Sequence, residues 1–355
     1  MACNVQRLDA LRNPNQIGPK GAPATVRLVS HLTTARAERD DEIADTIALA
    51  GAMVDAIGSV VLAPKPVLRA SVACLVAGGH LMIEDVPGVG KTMLARALAA
   101  AAGMSYARLQ CTADLMPADV TGVSIYHQPT GNFDFRHGPI FANLVLVDEI
   151  NRSSPRTQSA LLEAMEEGQV TVDGATRPLP DPFMVVATQN PVEYEGTFPL
   201  PEAQLDRFMM RLHLGYPEPA DEAALVTGTA GAASLHALQP VASEAAVRRS
   251  IAAAERVHVD VAIADYVVSV ATATRRDERL LLGASPRAGL ALVRAARAWA
   301  LTDGRDYILA DDVVDLAPVV LSHRVVVSPA ARTRSRSASD IIAEIVERVP
   351  APPLR

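Results

Sequence analysis

The sequence predicts an α/β protein: a parallel sheet wrapped by helices over residues 80–215, followed by a small all-α second domain. Three observations carry this. Short apolar runs alternate with helix-forming stretches as far as Pro217, the rhythm of a parallel sheet built from strand–helix units. One of those runs, His80-Leu-Met-Ile-Glu84, leads into Asp85-Val-Pro-Gly-Val-Gly-Lys-Thr92 and then a helix-forming segment, Met93-Leu-Ala-Arg-Ala-Leu98. Strand, glycine-bearing loop ending in Gly-Lys-Thr, then helix is the layout of a nucleotide phosphate cradle, or P-loop. Finally, Asn143-Leu-Val-Leu-Val-Asp-Glu149 is an apolar run closing on two carboxylates. That pattern fits a buried parallel strand whose acids sit at the ligand-binding edge of an open sheet.

Taken in order, residues 1–40 mix Pro, Gly, Asn and Arg without clear periodicity and without the apolar core of a signal peptide, and are expected to be a disordered extension. Residues 43–63 are apolar but interrupted at helical spacing by Asp45 and Asp55, which predicts an amphipathic surface helix rather than a membrane span. Core strands are expected at 80–84, 106–111, 144–147, 183–188 and 211–214. Two hairpins interrupt them. Val123–Tyr126 and Phe133–Phe135 flank Gln128-Pro-Thr-Gly-Asn132, while Gln169–Val172 and Ala175–Arg177 flank Asp173-Gly174, a strong two-residue turn signal. Neither has a place in the core sheet, so both are expected to project from it. After Pro217 strand signals stop, and helices are expected near 221–230, 243–255, 261–274, 286–302 and 310–322. The predicted organisation is therefore a core over 41–216, a helical domain over 217–330, and a loosely ordered tail over 331–355 containing a short amphipathic helix at 340–348.

Bulk composition narrows the function. A net charge of −7 argues against a dedicated nucleic-acid binder, which would carry a basic surplus. Cys3, Cys74 and Cys111 are few, odd in number and not at metal-binding spacing. Reduced thiols fit better than a disulfide or zinc site. With no membrane-spanning stretch, the expected location is the cytoplasm and no membrane insertion is expected.

The P-loop residues Val86, Pro87, Gly88, Val89, Gly90, Lys91, Thr92 and Met93 are the expected nucleotide-binding set. Backbone N–H groups there, with the helix dipole, would face the phosphates. Lys91 would reach the β/γ-phosphates, and the Thr92 hydroxyl would ligand Mg²⁺. The strict motif has Gly where this chain has Asp85; Asp tolerates turn geometry, so the loop is expected to form. Although the chain has 33 Lys and Arg, its lysines are only Lys20, Lys65 and Lys91, consistent with a site that needs a compact point charge. Asp148 is placed to hold Mg²⁺ through water and Glu149 to act as general base.

Three further residues have two readings each. Asn190, closing the apolar run Pro182–Asn190, could bond water and γ-phosphate or simply begin a turn before Pro191. Arg207, near the end of an expected short helix over Glu202–Phe208, could be a solvated helix-terminal charge or a guanidinium offered to a neighbouring subunit's phosphate. Arg287 follows Ser285 and Pro286, a clean helix start, and a cation in a first turn opposes the dipole there. A bound phosphate would supply the missing negative charge, which favours a functional role over a stray surface charge.

As a set, Glu84–Thr92, Val147-Asp-Glu-Ile-Asn-Arg152, Ala187-Thr-Gln-Asn-Pro191, Leu205-Asp-Arg-Phe208 and Gly283-Ala-Ser-Pro-Arg-Ala288 resemble the MoxR family of AAA+ ATPases, over about residues 45–330. The resemblance implies an AAA+ core plus helical lid, with ATP and Mg²⁺ bound between them and between subunits of a ring homo-oligomer, usually a hexamer. It implies that Lys91 and Thr92 are Walker A residues, Asp148 and Glu149 Walker B, Asn190 sensor 1, Arg207 a trans-acting arginine finger and Arg287 sensor 2. The two hairpins resemble the clade's helix-2 insert and pre-sensor hairpin, which face the pore. The N-terminal extension departs from the family pattern. The expected function is an ATP-hydrolysing, chaperone-like motor that remodels or activates a client (metal insertion or complex maturation), commonly beside a partner with a von Willebrand factor A domain. The rival readings are the ATPase subunit of a magnesium or cobalt chelatase, and an ATP-gated assembly scaffold that does not hydrolyse.

Overall fold

The computed structural model describes residues 24–353 except 130, 192–195, 228–231 and 334–335, with side chains from Asp40 onward except 225 and 232–234. Two helices lead in, α1 (Ala24–Gly58) and α2 (Lys65–Val76). Ala50, Met53, Val54 and Ile57 form the buried stripe of α1 while Asp45 and Asp55 stay exposed, the face separation expected of an amphipathic helix. Of the extension expected to be disordered, residues 1–23 lie outside the described residues. Residues 24–40 are a continuation of α1, so the sequence boundary there is corrected.

The core then runs β1 (Leu81–Glu84), α3 (Lys91–Ala101), β2 (Tyr106–Gln110), α4 (Pro117–Thr121), β3 (Gly122–His127), β4 (Asn132–His137), β5 (Leu144–Asp148), α5 (Pro155–Glu167), β6 (Gln169–Val172), β7 (Ala175–Pro178), β8 (Met184–Gln189), α6 (Glu202–Leu205) and β9 (Met210–Leu212). Five strands form one sheet in the order β2-β5-β8-β1-β9, every pair parallel. Strand β5 is buried along its whole length, as continuous apolar runs in a sheet covered on both faces must be. Parallel register also fixes which ends meet. Gln110 lies opposite Asp148, and Glu84 opposite Gln189, so all the loops that leave these strands emerge on one edge. The β3–β4 and β6–β7 hairpins stand outside this sheet as separate antiparallel pairs. The second turns through Asp173 and Gly174, both with positive φ, the two-residue turn its dipeptide predicted.

The remainder comprises α7 (Pro219–Val226), α8 (Ala232–Ala237), α9 (Glu244–Ala254), α10 (Val261–Arg276), β10 (Leu280–Leu282), α11 (Pro286–Thr302), α12 (Ala310–Leu321), β11 (Val326–Val327), α13 (Pro329–Arg332) and α14 (Ala338–Arg348). It is mostly helical, but β10 and β11 pair antiparallel, correcting the expectation that strands end at Pro217. The tail is also corrected. Ile341, Ile342, Ile345 and Val346 of α14 are buried, and three serines, Ser328, Ser285 and Ser337, cap α13, α11 and α14 with their hydroxyls. Burial of such an apolar stripe is what holds a short helix that would be marginal alone.

The N-terminal helix pair is stitched to the lid. The Arg69 guanidinium lies 3.7 Å above the Trp299 ring, donates to Thr302 Oγ1 at 2.8 Å and pairs with Asp303 at 3.3 Å. At the other end, Arg324 reaches down from the lid to Asp206 Oδ1 at 2.6 Å and to the Phe208 and Met209 carbonyls. Its side chain is 4% exposed, so these acceptors leave the guanidinium compensated where an unpaired charge would be costly.

Two imidazoles are held without charge, His323 buried and His80 partly so. His80 Nδ1 accepts the Val185 N–H at 3.0 Å, which leaves Nε2–H to donate to the Met165 carbonyl at 3.1 Å. Burial pulls its pKa down to about 4, and burial beside Arg324 pulls that of His323 well below its usual value. Both are neutral in the fold but protonated in the unfolded chain below an ordinary histidine pKa of ~6.5. Stability is therefore full above pH ~6.5 and falls as pH drops from there toward 4, by about 3 kcal/mol for His80. Thermal unfolding between pH 7.5 and 4.5 checks this, and a melting temperature flat across that window would contradict it.

Candidate nucleotide-binding and hydrolysis site

The loop after β1 turns through Gly88 and Gly90, with φ of 90° and 97°, a region L side chains enter only with strain. Gly90 is the N-cap of α3, so the first N–H groups of that helix open toward the loop without intrahelical partners. Lys91 Nζ donates to the Asp85 carbonyl at 2.5 Å. A cavity of about 410 Å³ is lined by Gly88, Lys91, Thr92, Asp148, Glu149 and Asn190, among others. The structure thus brings together the P-loop, both acids and the expected sensor Asn190, along with Arg96, which the sequence did not single out.

Asp85 has a different role from the one its turn tolerance suggested. Its φ is not positive. Its Oδ2 instead accepts the Leu214 and Gly215 N–H groups at 2.8 Å each, and its Oδ1 accepts the Val86 N–H at 2.9 Å. The carboxylate ties the cradle to the end of β9. Asp85→Ala removes the acceptor of three N–H groups, and a cost of about 1–3 kcal/mol is expected. Chemical denaturation measures it, and a change under about half a kcal/mol would show that water replaces the carboxylate.

The acids are held in defined positions. Thr188 Oγ1 donates to Asp148 Oδ1 at 2.6 Å and accepts the Glu149 N–H at 2.9 Å. Asp148 is buried, and its Oδ2 takes Arg108 Nη2 at 2.6 Å. Glu149 has φ 55° and ψ 52°, left-handed geometry that is uncommon for a residue with a Cβ and gathers at functional sites. Its Oε2 accepts from Gln110 Nε2 at 3.2 Å and Arg152 Nη1 at 3.1 Å. Arg108 and Gln110 were missed in the sequence because their relation to Asp148 and Glu149 exists only through the β2–β5 register. The available signal was polar residues on a core strand next to the acidic one.

A metal fits this donor set. Among the described residues no cluster of three or more His, Cys, Asp or Glu could hold one by itself. A hydroxyl at Thr92 and a carboxylate at Asp148 are hard oxygen donors, the kind that hold Mg²⁺ together with waters and phosphate oxygens rather than in an all-protein cage.

Arg207 and Arg287 are not in that cavity. Arg207 precedes β9 and so sits at the N-terminal edge of the sheet, whereas the P-loop leaves the C-terminal edge of its parallel neighbour β1. Arg207 Nη2 and Arg287 Nη2 both meet Glu166, each at 3.0 Å, and Arg287 Nε lies 3.7 Å from Asp206. They line a second cavity of about 660 Å³, with Arg294, Arg297 and Arg324.

Comparisons with known proteins give the family. Residues 80–210 match the family model described as "ATPase family associated with various cellular activities (AAA)", and residues 272–345 that of the AAA lid domain. The chain is 42% identical over 288 residues to Chaperone MoxR1 of Mycobacterium tuberculosis, covering 78% of this chain and 76% of the relative. It belongs to the MoxR family of AAA+ ATPases. The uncharacterized protein YeaC of Bacillus subtilis is 48% identical over 304 residues, covering 86% of this MoxR-family chain and 95% of YeaC. Protein MoxR of Methylorubrum extorquens is 32% identical, covering 83% and 93%. The crystal structure of a candidate ATPase from Cytophaga hutchinsonii superimposes with a TM-score of 0.82 at 36% identity, covering 91% of this chain and 99% of that one.

The described thiols are free, as the sequence led us to expect. Cys74 and Cys111 are buried and free, burial pushing their pKa up to about 12 and about 11, which leaves them unreactive as nucleophiles; Cys3 lies outside the described residues. Among the described residues no helix is long and apolar enough to cross a membrane.

Proposed function

We propose that this chain hydrolyses ATP in a head-to-tail ring and uses the cycle to remodel or activate a client protein. The observation that carries the reading is the division of charge between the two sheet edges. Lys91, Thr92, Asp148, Glu149 and Asn190 line one cavity, while Arg207 and Arg287 converge on Glu166 at the other edge. Arginines so placed can act on a nucleotide only if a second subunit brings it to them. This geometry supports trans action for both, including Arg287.

In this reading the P-loop N–H groups and Lys91 bind the phosphates, and Thr92 and Asp148 would hold Mg²⁺, which would supply compensating positive charge there. Glu149 takes the proton of the attacking water, Asn190 orients that water against the γ-phosphate, and Arg207 stabilises the charge that develops as the bond breaks. The larger cavity of about 760 Å³ between the helix pair and the lid, lined by Lys65, Pro66, Leu212 and His213 among others, is proposed to take the base. The naming of relatives as MoxR chaperones supports a client-remodelling role over a chelatase subunit, and a partner bearing a von Willebrand factor A domain is the proposed collaborator.

The test is capture. The Glu149→Gln chain, loaded with ATP, is used as bait with Lys91→Ala as the non-binding control. A partner with that domain held only by Glu149→Gln supports the reading. Tetrapyrrole-chelatase subunits would replace it with the chelatase, and equal capture by both baits would remove ATP gating altogether.

A further inference from the structure

Glu166 breaks a local rule. It lies in the last turn of α5, which carries no basic residue, where the helix dipole disfavours an anion. The neighbouring helix-start residue Arg287 breaks the complementary rule, being a cation at the positive end of α11. Each of these placements is unfavourable alone, and they answer one another. Glu166 Oε1 accepts from Arg287 Nη2 and Oε2 from Arg207, both at 3.0 Å, so one carboxylate spends both oxygens on two guanidiniums from different parts of the chain. These bonds hold the Glu166 carboxyl below the usual range, Arg287 first and Arg207 second.

The residues on either side of Glu166 matter as much. Gly168 ends α5 in left-handed geometry and the chain enters the β6–β7 hairpin at Gln169. Toward the N-terminus, Met165 is fixed by its carbonyl to the ring of His80. Glu166 is therefore the outer end of an anchored helix, one turn of backbone from a projecting hairpin.

We propose that Glu166 is a latch: in the isolated subunit it occupies Arg207 and Arg287, and the triphosphate of an adjoining subunit displaces it, freeing the end of α5 and with it the β6–β7 hairpin. A triphosphate carries more charge and more acceptor oxygens than one carboxylate, so exchange favours it once the second subunit docks. The latch makes assembly compete with an internal ion pair, and it gives the hairpin a way to sense the nucleotide of the neighbour rather than its own. Glu166 is a positioning residue here, acting through the two arginines. The inference rests on the trans assignment of Arg207 and Arg287 above.

The experiment measures ATPase rate against protein concentration for the wild type and for Glu166→Gln, Arg207→Ala and Arg287→Ala, with hydrogen exchange over 168–178 before and after ATP-driven assembly. Exposed ion pairs of this kind are weak individually, so Glu166→Gln is expected to lower the concentration of half-maximal activity by roughly two- to thirtyfold, moving this midpoint more than kcat. Faster exchange over 168–178 is expected in the unassembled variant than in the unassembled wild type. A merely structural loss would raise the midpoint. A midpoint equal to or above the wild type's overturns the latch, and identical hairpin exchange in the two overturns its link to β6–β7. If Arg207→Ala and Arg287→Ala both keep full activity at saturating concentration, the trans assignment itself fails, an outcome separable from failure of the latch alone.

Discussion

Glu149→Gln is expected to lower ATP turnover by about 10²–10⁴-fold, the usual span for losing a general base, with ATP binding retained. The substitution keeps shape and removes basicity. The Glu149 side chain already sits between Gln110 and Arg152, and an amide oxygen there can accept the same bonds, so the left-handed backbone should survive. Phosphate-release kinetics and equilibrium binding of a fluorescent ATP analogue separate the two effects. Turnover within about threefold of the wild type would exclude Glu149 as the base. Loss of binding in parallel would instead indicate that the carboxylate shapes the cradle.

Arg207→Ala is expected to cost about 10³–10⁵ in kcat at saturating ATP, the range associated with a guanidinium supplied to a developing phosphoryl charge. Binding of ATP to the isolated chain should be unaffected, because Arg207 is on the edge of the sheet away from the P-loop. The loss should not be read as unfolding. Arg207 is partly exposed and its described partner is Glu166, which retains Arg287, so the melting temperature should move by little. A kcat unchanged at ring-forming concentrations would return Arg207 to the status of an ordinary helix-terminal charge.

Much of this was legible in the sequence, for physical reasons that can be named. Strands β1, β5 and β8 are apolar on both faces because a parallel sheet is covered on both, and such runs cannot be mistaken for surface. Asp173-Gly174 announced its turn because few dipeptides accept two positive φ values in succession. The parts that stayed hidden depend on distance in the chain. The pair β10–β11 is three residues against two, too short for alternation to register. Helix α14 looked peripheral because its isoleucines find their partners only in the folded lid. The role of Asp85 is invisible without knowing that Leu214 and Gly215 end beside it. Arg108, Gln110 and Glu166 stand tens of residues from the acids and arginines they meet, and no local pattern marks them.

With the P-loop on one edge and Arg207 and Arg287 at the other, each subunit resembles a tile with unlike sides, and in the proposed ring a productive joint takes one of each. A two-fold dimer would match like with like and leave both joints incomplete. Only head-to-tail stacking completes a joint. Any open stack, however long, ends in one cradle without arginines and one arginine pair without a cradle, and closure alone removes both.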